Sequence, residues 1–251
     1  MRFIGIIPAR YGSSRFPGKP LALIGGKPMI ECVYEQAGKI LSEVVVATDD
    51  ARIRSCVEHF GGKVVLTRSD HVCGTDRVVE AASQLGLQDE DIIINIQGDE
   101  PFIQPEQIAA IMGCFDDPTT TIATLVKPFK ETDSWSALEN PNSPKVIVDE
   151  RSMQALWFSR SVIPYLRGVD KEDWLRAHKH YKHIGLYAYR HDVLKAISAL
   201  PCSPMEQAES LEQLRWLENG YTIRVAITEI ETIGIDTPEE LQDALKLKVE
   251  S

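Results

Sequence analysis

The chain has 251 residues, 43% hydrophobic and 25% charged, which suits one α/β domain or one domain with a small appendage. Its 27 Lys and Arg against 37 Asp and Glu leave a net charge of −10, which argues against general binding to nucleic acid or a membrane surface. The five cysteines (Cys32, Cys56, Cys73, Cys114, Cys202) are odd in number and form no Cys-x-x-Cys, so a disulfide framework or zinc site is disfavoured and a reducing compartment fits. The apolar run Phe3 to Ile7 is too short for a signal peptide or a membrane span, so a cytoplasmic protein without membrane insertion is expected.

Phe3 to Ile7 reads as a buried parallel strand. A loop dense in Gly, Ser and Pro follows and carries Arg10, Arg15 and Lys19. From Pro28, the apolar positions Met29, Ile30, Val33, Tyr34, Ala37, Ile40 and Leu41 keep helical spacing. Glu43 to Thr48 is a Val-rich strand. A helix from Ala51 to about Phe60 follows, with Asp50 or its neighbour as cap and Gly61-Gly62 at its close. Lys63 to Thr67 predicts a strand, Asp76 to Leu85 a helix, Asp91 to Gln97 an apolar strand, Pro105 to about Phe115 a helix and Thr119 to Val126 a β-branched strand. This alternation implies an α/β fold with a doubly wound, mostly parallel sheet of Rossmann-like type.

Between Lys127 and Arg190 the alternation stops. Lys145 to Asp149 and Gln154 to Ser159 flank Glu150-Arg151-Ser152 and read as a hairpin, and His183 to Arg190 resumes as a strand. The expectation is a single domain over 1–251 with 127–190 inserted to cover one side of the sheet. Trp157 and Phe158 also suit a partner surface there. Asp192 to Leu200 and Pro204 to Glu218 read as helices, Tyr221 to Thr228 as a strand, and Gly234-Ile235-Asp236-Thr237-Pro238-Glu239 as the entry to a final helix.

A strand, a basic Gly-rich loop and a helix form the layout of a phosphate site: small residues let N–H groups converge on an anion, and Arg and Lys add charge. The P-loop pattern Gly-x-x-x-x-Gly-Lys-Ser/Thr is absent. The plain alternative is a solvated basic loop. Asp99, after the apolar strand, stands where ligands bind in open α/β sheets and suits Mg²⁺ beside a triphosphate. Asp236 is a second such carboxylate, although either Asp could instead cap the helix that follows it.

Pro8-Ala9-Arg10, Ser14-Arg15-x-Pro17-Gly18-Lys19-Pro20 and Gly26-Lys27-Pro28-Met29-Ile30 resemble the signature of sugar nucleotidyltransferases, and more narrowly of the 3-deoxy-manno-octulosonate (Kdo) cytidylyltransferases, or CMP-Kdo synthetases. Gln97-Gly98-Asp99-Glu100-Pro101 and the Gly234–Glu239 stretch are similar to the family's two metal motifs, which implies magnesium held by Asp99 and Asp236. Arg68, Asp70, His71, Gly74 and Thr75 match the segment that seats cytidine, with Cys73 where the family has Ser. Arg160 matches the family's Tyr-Phe-Ser-Arg, with Trp157 replacing the Tyr, and an Arg fork suits the sugar carboxylate. His183, Tyr187, Glu212 and Gln213 match its sugar-side strand and helix, though from the residues alone His183 reads as structural and Arg160 as a surface Arg.

The resemblance spans nearly the whole chain. It implies that CMP passes from CTP to the anomeric hydroxyl of Kdo with loss of pyrophosphate, for lipopolysaccharide synthesis, in a homodimer. The nucleotide would be held by Pro8, Ala9, Arg10, Gly12, Ser13, Ser14, Lys19, Arg68, Cys73, Gly74, Thr75, Gln97 and Asp99, with Gln97 also facing the sugar. Arg10, Arg15, Lys19, Asp99 and Asp236 would carry catalysis. The rivals are a cytidylyltransferase for another acidic sugar such as a sialate, a related enzyme using another nucleoside triphosphate, and a non-catalytic nucleotide-binding module.

Overall fold

The computed structural model describes residues 1–12, 15–71, 73–231 and 234–249, with side chains described as far as 245. The chain forms two compact units. The first comprises Met1–Ala109, Tyr189–Ser198 and Thr232–Ser251, and the second comprises Ala110–Ala188 and Ala199–Glu231. The second unit is larger than the 127–190 insertion read from the sequence: it begins at Ala110 and also takes in residues 199–231.

The first unit opens with β1 (Phe3–Ala9), a short ribbon of β2 (Leu23–Ile24) and β3 (Lys27–Pro28), and α1 (Met29–Gly38). It continues through β4 (Val44–Thr48), α2 (Ala51–His59), β5 (Lys63–Leu66), α3 (Gly74–Gln84) and β6 (Ile92–Asn95), before α4 (Pro105–Gly113). β5, β4, β1 and β6 lie side by side in that order, all parallel, with Ile6 opposite Val45 and Ile4 opposite Ile93. β4 and β6 are buried along their whole length, the state that near-continuous β-branched runs specify. The order sets the carboxyl ends of β1 and β6 next to each other, and loops leaving strand ends of this kind build ligand sites. The approach there is close. A Cβ on Gly98 would stand 2.9 Å from the Pro8 carbonyl oxygen, so only glycine fits.

The second unit contains β7 (Ile122–Pro128), α5 (Trp135–Glu139), the hairpin β8 (Lys145–Asp149) and β9 (Gln154–Ser159), α6 (Trp174–Ala177) and most of β10 (Tyr181–Arg190). After α7 (His191–Ser198), it resumes with α8 (Pro204–Glu209), α9 (Gln213–Glu218) and β11 (Ile223–Ile227); α10 (Pro238–Val249) belongs to the first unit. Its strands run in the order β10, β7, β11, β9, β8. The hairpin has the bounds expected from sequence, with β8 antiparallel to β9.

Two of the differences from the sequence reading have a visible cause. The strand expected at Thr119 begins at Ile122, because Asp117 Oδ1 accepts from the Thr119 N–H and hydroxyl and holds a turn. The single helix expected over Pro204–Glu218 is two helices. Ser210 adopts a left-handed conformation (φ 51°), and Arg160 donates from Nε to the Glu209 carbonyl (2.6 Å) and from Nη2 to the Ser210 carbonyl (3.2 Å). Those carbonyls would otherwise accept within a continuous helix.

Candidate active site

The loop after β1 enters a one-turn 3₁₀ helix, Lys19–Leu21, through Gly18, whose φ of 73° and contact with the Tyr11 ring suit glycine. The Gly18 N–H donates to the Tyr11 carbonyl at 2.9 Å, and the Arg52 guanidinium lies 3.3 Å over the Tyr11 ring. So anchored, the turn aims Lys19 at the carboxyl end of β6. Its Nζ donates to Asp99 Oδ2 (2.7 Å) and Asp236 Oδ1 (3.0 Å), while Arg15 Nη2 reaches Asp236 Oδ2 (2.8 Å). The Lys19 side chain is 13% exposed, against 65% for Arg15, so solvent screens the lysine's pairs less. Burial by itself would raise the Asp236 carboxyl, but Lys19 and Arg15 outweigh it and hold the group below its ordinary value.

Neither carboxylate serves as a helix cap. At α10 that role falls to Thr237, whose Oγ1 accepts from the Glu240 N–H (3.2 Å), while Glu240 Oε2 accepts from the N–H groups of Asp236 (2.6 Å) and Thr237 (3.0 Å). Asp99 precedes α4 by six positions, and there Gln107 Oε1 accepts from the Gln104 N–H. A backbone bond from Ile235 N–H to the Asp99 carbonyl (2.9 Å) joins the two segments. Below them, Met29, Phe102, Ile235 and Leu241 pack into one apolar cluster.

The cavity beside this cluster is walled by Pro8, Ala9, Arg10, Arg15, Lys19, Pro20, His71, Cys73, Gly74, Arg77, Gln97, Gly98, Asp99 and Asp236. Most of the nucleotide-side residues expected from sequence therefore meet there. Gly12, Arg68 and Thr75 are not in the wall: Arg68 projects to solvent, and Thr75 is buried in the first turn of α3. Ser13 and Ser14 lie outside the described residues. Cys73 caps α3, its Sγ accepting from the Asp76 N–H at 3.5 Å, so the helix begins earlier than the sequence predicts. Arg77 went unassigned in the sequence. It is buried, lines the cavity, and bonds Thr67 Oγ1 (2.5 Å) beside Asp49 (3.3 Å). Among the described residues no group of three or more His, Cys, Asp or Glu is placed to hold a metal. Two partly exposed carboxylates converging on one cation position nonetheless fit Mg²⁺, which takes one or two protein carboxylates and completes its shell with phosphates and water.

In the second unit, His183 and Tyr187 belong to an aromatic group, and Glu212 and Gln213 lie at the start of α9. The His183 ring lies 5.2 Å from those of Phe158 and Tyr187, and Tyr187 lies 5.2 Å from Trp216. His183 Nε2 is 3.0 Å from Thr124 Oγ1, and burial pushes the imidazole down to about 3, so it is neutral at ordinary pH. Burial, with the Glu212 charge, pushes the Tyr187 phenol well up. Glu212 accepts from Arg215 Nη2 at 2.7 Å, and Gln213 is buried with its Nε2 unbonded among the described residues. Arg160 is not the free surface arginine that its sequence context alone suggested. Besides its bonds to Glu209 and Ser210, its Nη1 donates to the Pro141 carbonyl (2.8 Å), and Glu209 Oε2 accepts from its backbone N–H (2.8 Å).

Comparison with known proteins places this geometry. A family model described as cytidylyltransferase matches residues 4–230. A 3-deoxy-manno-octulosonate cytidylyltransferase of Bacteroides thetaiotaomicron is 62% identical over 244 residues, covering 97% of both chains. One of Phocaeicola vulgatus is 64% identical over 244 residues, covering 97% of this chain and 96% of its own. The solved structure of CMP:2-keto-3-deoxy-manno-octonic acid synthetase complexed with CTP superposes with a TM-score of 0.90 at 44% identity, over 100% of this chain and 99% of that one. The fold alone is shared with 4-diphosphocytidyl-2C-methyl-D-erythritol synthase from Anaerococcus prevotii, at 14% identity and a TM-score of 0.59 over 99% of each chain. These likenesses run the length of the chain, which belongs to the cytidylyltransferase family and, within it, to the 3-deoxy-manno-octulosonate cytidylyltransferases.

Proposed function

We propose that the protein transfers CMP from CTP to the anomeric hydroxyl of Kdo. The sugar oxygen forms a bond to the α-phosphorus, the bond from that phosphorus to the bridging oxygen breaks, and pyrophosphate leaves as the hydroxyl gives up its proton. The observation that carries this reading is the convergence of Lys19 and Arg15 on Asp99 and Asp236 at the carboxyl end of β6. It occurs in a chain 62% identical to a Kdo cytidylyltransferase.

Arg10, Arg15 and Lys19 supply positive charge for the triphosphate, and the cavity wall orients it. Asp99 and Asp236 would hold magnesium, which when bound neutralises phosphate charge and lowers the pKa of a hydroxyl beside it. Cys73, Gly74 and the wall of β1 offer the surface for the nucleoside. On the sugar side, His183 enters as a neutral hydrogen-bonding group, Tyr187, Glu212 and Gln213 bring polar atoms, and Arg160 supplies charge for the acid. The reading includes a doubly wound sheet, supported by the parallel order of β5, β4, β1 and β6, together with a cytoplasmic homodimer acting in lipopolysaccharide synthesis.

The test is a purified-protein assay with each nucleoside triphosphate, each sugar acid and magnesium, following both pyrophosphate and the CMP-sugar. Release that requires CTP, Kdo and magnesium is expected. Preference for a sialate or another triphosphate would replace the substrate assignment, and binding of CTP without turnover would leave a nucleotide-binding module.

A further inference from the structure

The wall of the cavity near His71 is held from behind by one face of α3. Arg77, Glu80 and Gln84 are spaced three and four apart, so they share that face. Each makes a bond to the segment that leaves β5. Gln84 Nε2 donates to the Leu66 carbonyl (3.0 Å), and Arg77 Nη1 donates to Thr67 Oγ1 and to the Arg68 carbonyl (3.3 Å). Glu80 does the most. Its two oxygens accept the Arg68 N–H at 3.2 and 3.1 Å, Oε2 closely engages His71 Nε2, and the Arg68 side chain lies 3.6 Å away. Burial alone would raise the Glu80 carboxyl, but the Arg68 N–H, His71 and the Arg68 charge outweigh it and keep the group below its usual range, hence ionised.

His71 is nearly buried, with 6% of its side chain exposed, yet lines the same cavity as Gly74 and Asp99. Glu80 is absent from that wall and reaches it through His71, while it also holds the Arg68 backbone behind it. We infer that Glu80 is a positioning residue for the nucleotide: by clasping the Arg68–His71 turn onto α3, it sets the side of the cavity where the nucleoside is received. The inference rests on the nucleotide reading above. It assigns Glu80 an effect on nucleotide use that the sugar half of the reaction does not share.

The test compares wild-type protein with Glu80→Ala and Glu80→Gln. CTP binding is measured by calorimetry in the absence of sugar, KM is measured for CTP and for Kdo, and each protein is melted. Loss of a charge-assisted anchor predicts that Glu80→Ala weakens CTP binding by about 10-fold or more. The Kdo KM at saturating CTP should stay within about twofold, the range of a substitution remote from the sugar. Glu80→Gln keeps an oxygen for the Arg68 N–H and should recover part of the affinity. Unchanged CTP affinity in both variants would overturn the role of Glu80, as would equal losses for CTP and Kdo that track a fall in melting temperature. Should Glu80→Ala fail to fold, the Gln variant decides alone by the same split. Wild-type protein that binds no CTP would instead overturn the nucleotide reading itself.

Discussion

The ammonium of Lys19 lies 2.7 Å from the carboxylate of Asp99, across 80 positions of sequence. Lys19 has only 13% of its side chain exposed and faces a carboxylate that no helix claims as a cap. The pair is therefore poised for charge from outside the chain. Asp99→Asn keeps the shape and removes the charge. Turnover should fall by at least ~10²-fold, the scale of one strong electrostatic stabiliser, with the melting temperature within a few degrees of wild type. Near-normal turnover at ordinary magnesium would remove Asp99 from the mechanism. Asp236→Asn should behave alike, since Thr237 and Glu240 keep the start of α10 intact.

Arg160 is expected to influence both sugar use and folding. Arg160→Ala leaves the carbonyls of Pro141, Glu209 and Ser210 without their donor. A loss of about 1–3 kcal/mol in urea unfolding follows, together with weakened Kdo use and an unchanged CTP KM. Lys at this position should rescue only in part, because it lacks the planar fork. Wild-type stability combined with wild-type Kdo kinetics would show that neither role holds.

Cys73 stands at the N-cap of α3, where a thiol is a poor acceptor. Cys73→Ser should raise stability by up to ~1 kcal/mol and change the CTP KM by less than about fivefold. Cys73→Leu should impair CTP binding far more, since the position lines the cavity. Equal kinetics for the Ser and Leu variants would place the side chain outside nucleotide contact.

Asp91 gives a pH prediction. Burial tends to raise its carboxyl, but bonds from the Arg2 side chain and from the Gln88 and Arg2 N–H groups bring it down to about 2. A depressed carboxylate stabilises the fold above its unfolded pKa, and that stability is lost as pH falls through the folded value. The contribution is about 2–3 kcal/mol at neutral pH, with roughly half gone by pH 3. Urea unfolding of wild type and Asp91→Asn at pH 7 and pH 3 should show the gap between them narrowing in acid. A gap independent of pH would mean that the ionised form is not what stabilises.

The strands and the cationic loop were legible because they rest on local pattern: β-branched runs for β1, β4 and β6, and small residues interleaved with Arg and Lys after β1. What escaped depended on partners distant in sequence. Arg77 and Glu80 look like any polar stripe on a helix until β5 places Thr67 and Arg68 against it. The break at Ser210 has no helix-breaking residue to announce it, because the interruption is fixed by Arg160, 50 positions earlier. The strand carrying His183 shows its place in a motif, but the setting of that ring among Phe158, Tyr187 and Thr124 could not be seen in the strand itself.

The bond from Ile235 to Asp99 has a consequence for how the protein is made. The first unit draws on three separate stretches, the last of them Thr232–Ser251. A ribosome has therefore emitted β1, the basic loop and Asp99 long before Asp236 exists to share Lys19. During synthesis, Asp99 is available to Lys19 first, and the second carboxylate arrives only after the whole of the second unit has been made. A chain truncated after Glu231 would keep its parallel strands yet lack Asp236, one of the two acids, so loss of activity in such a fragment would precede any loss of its sheet.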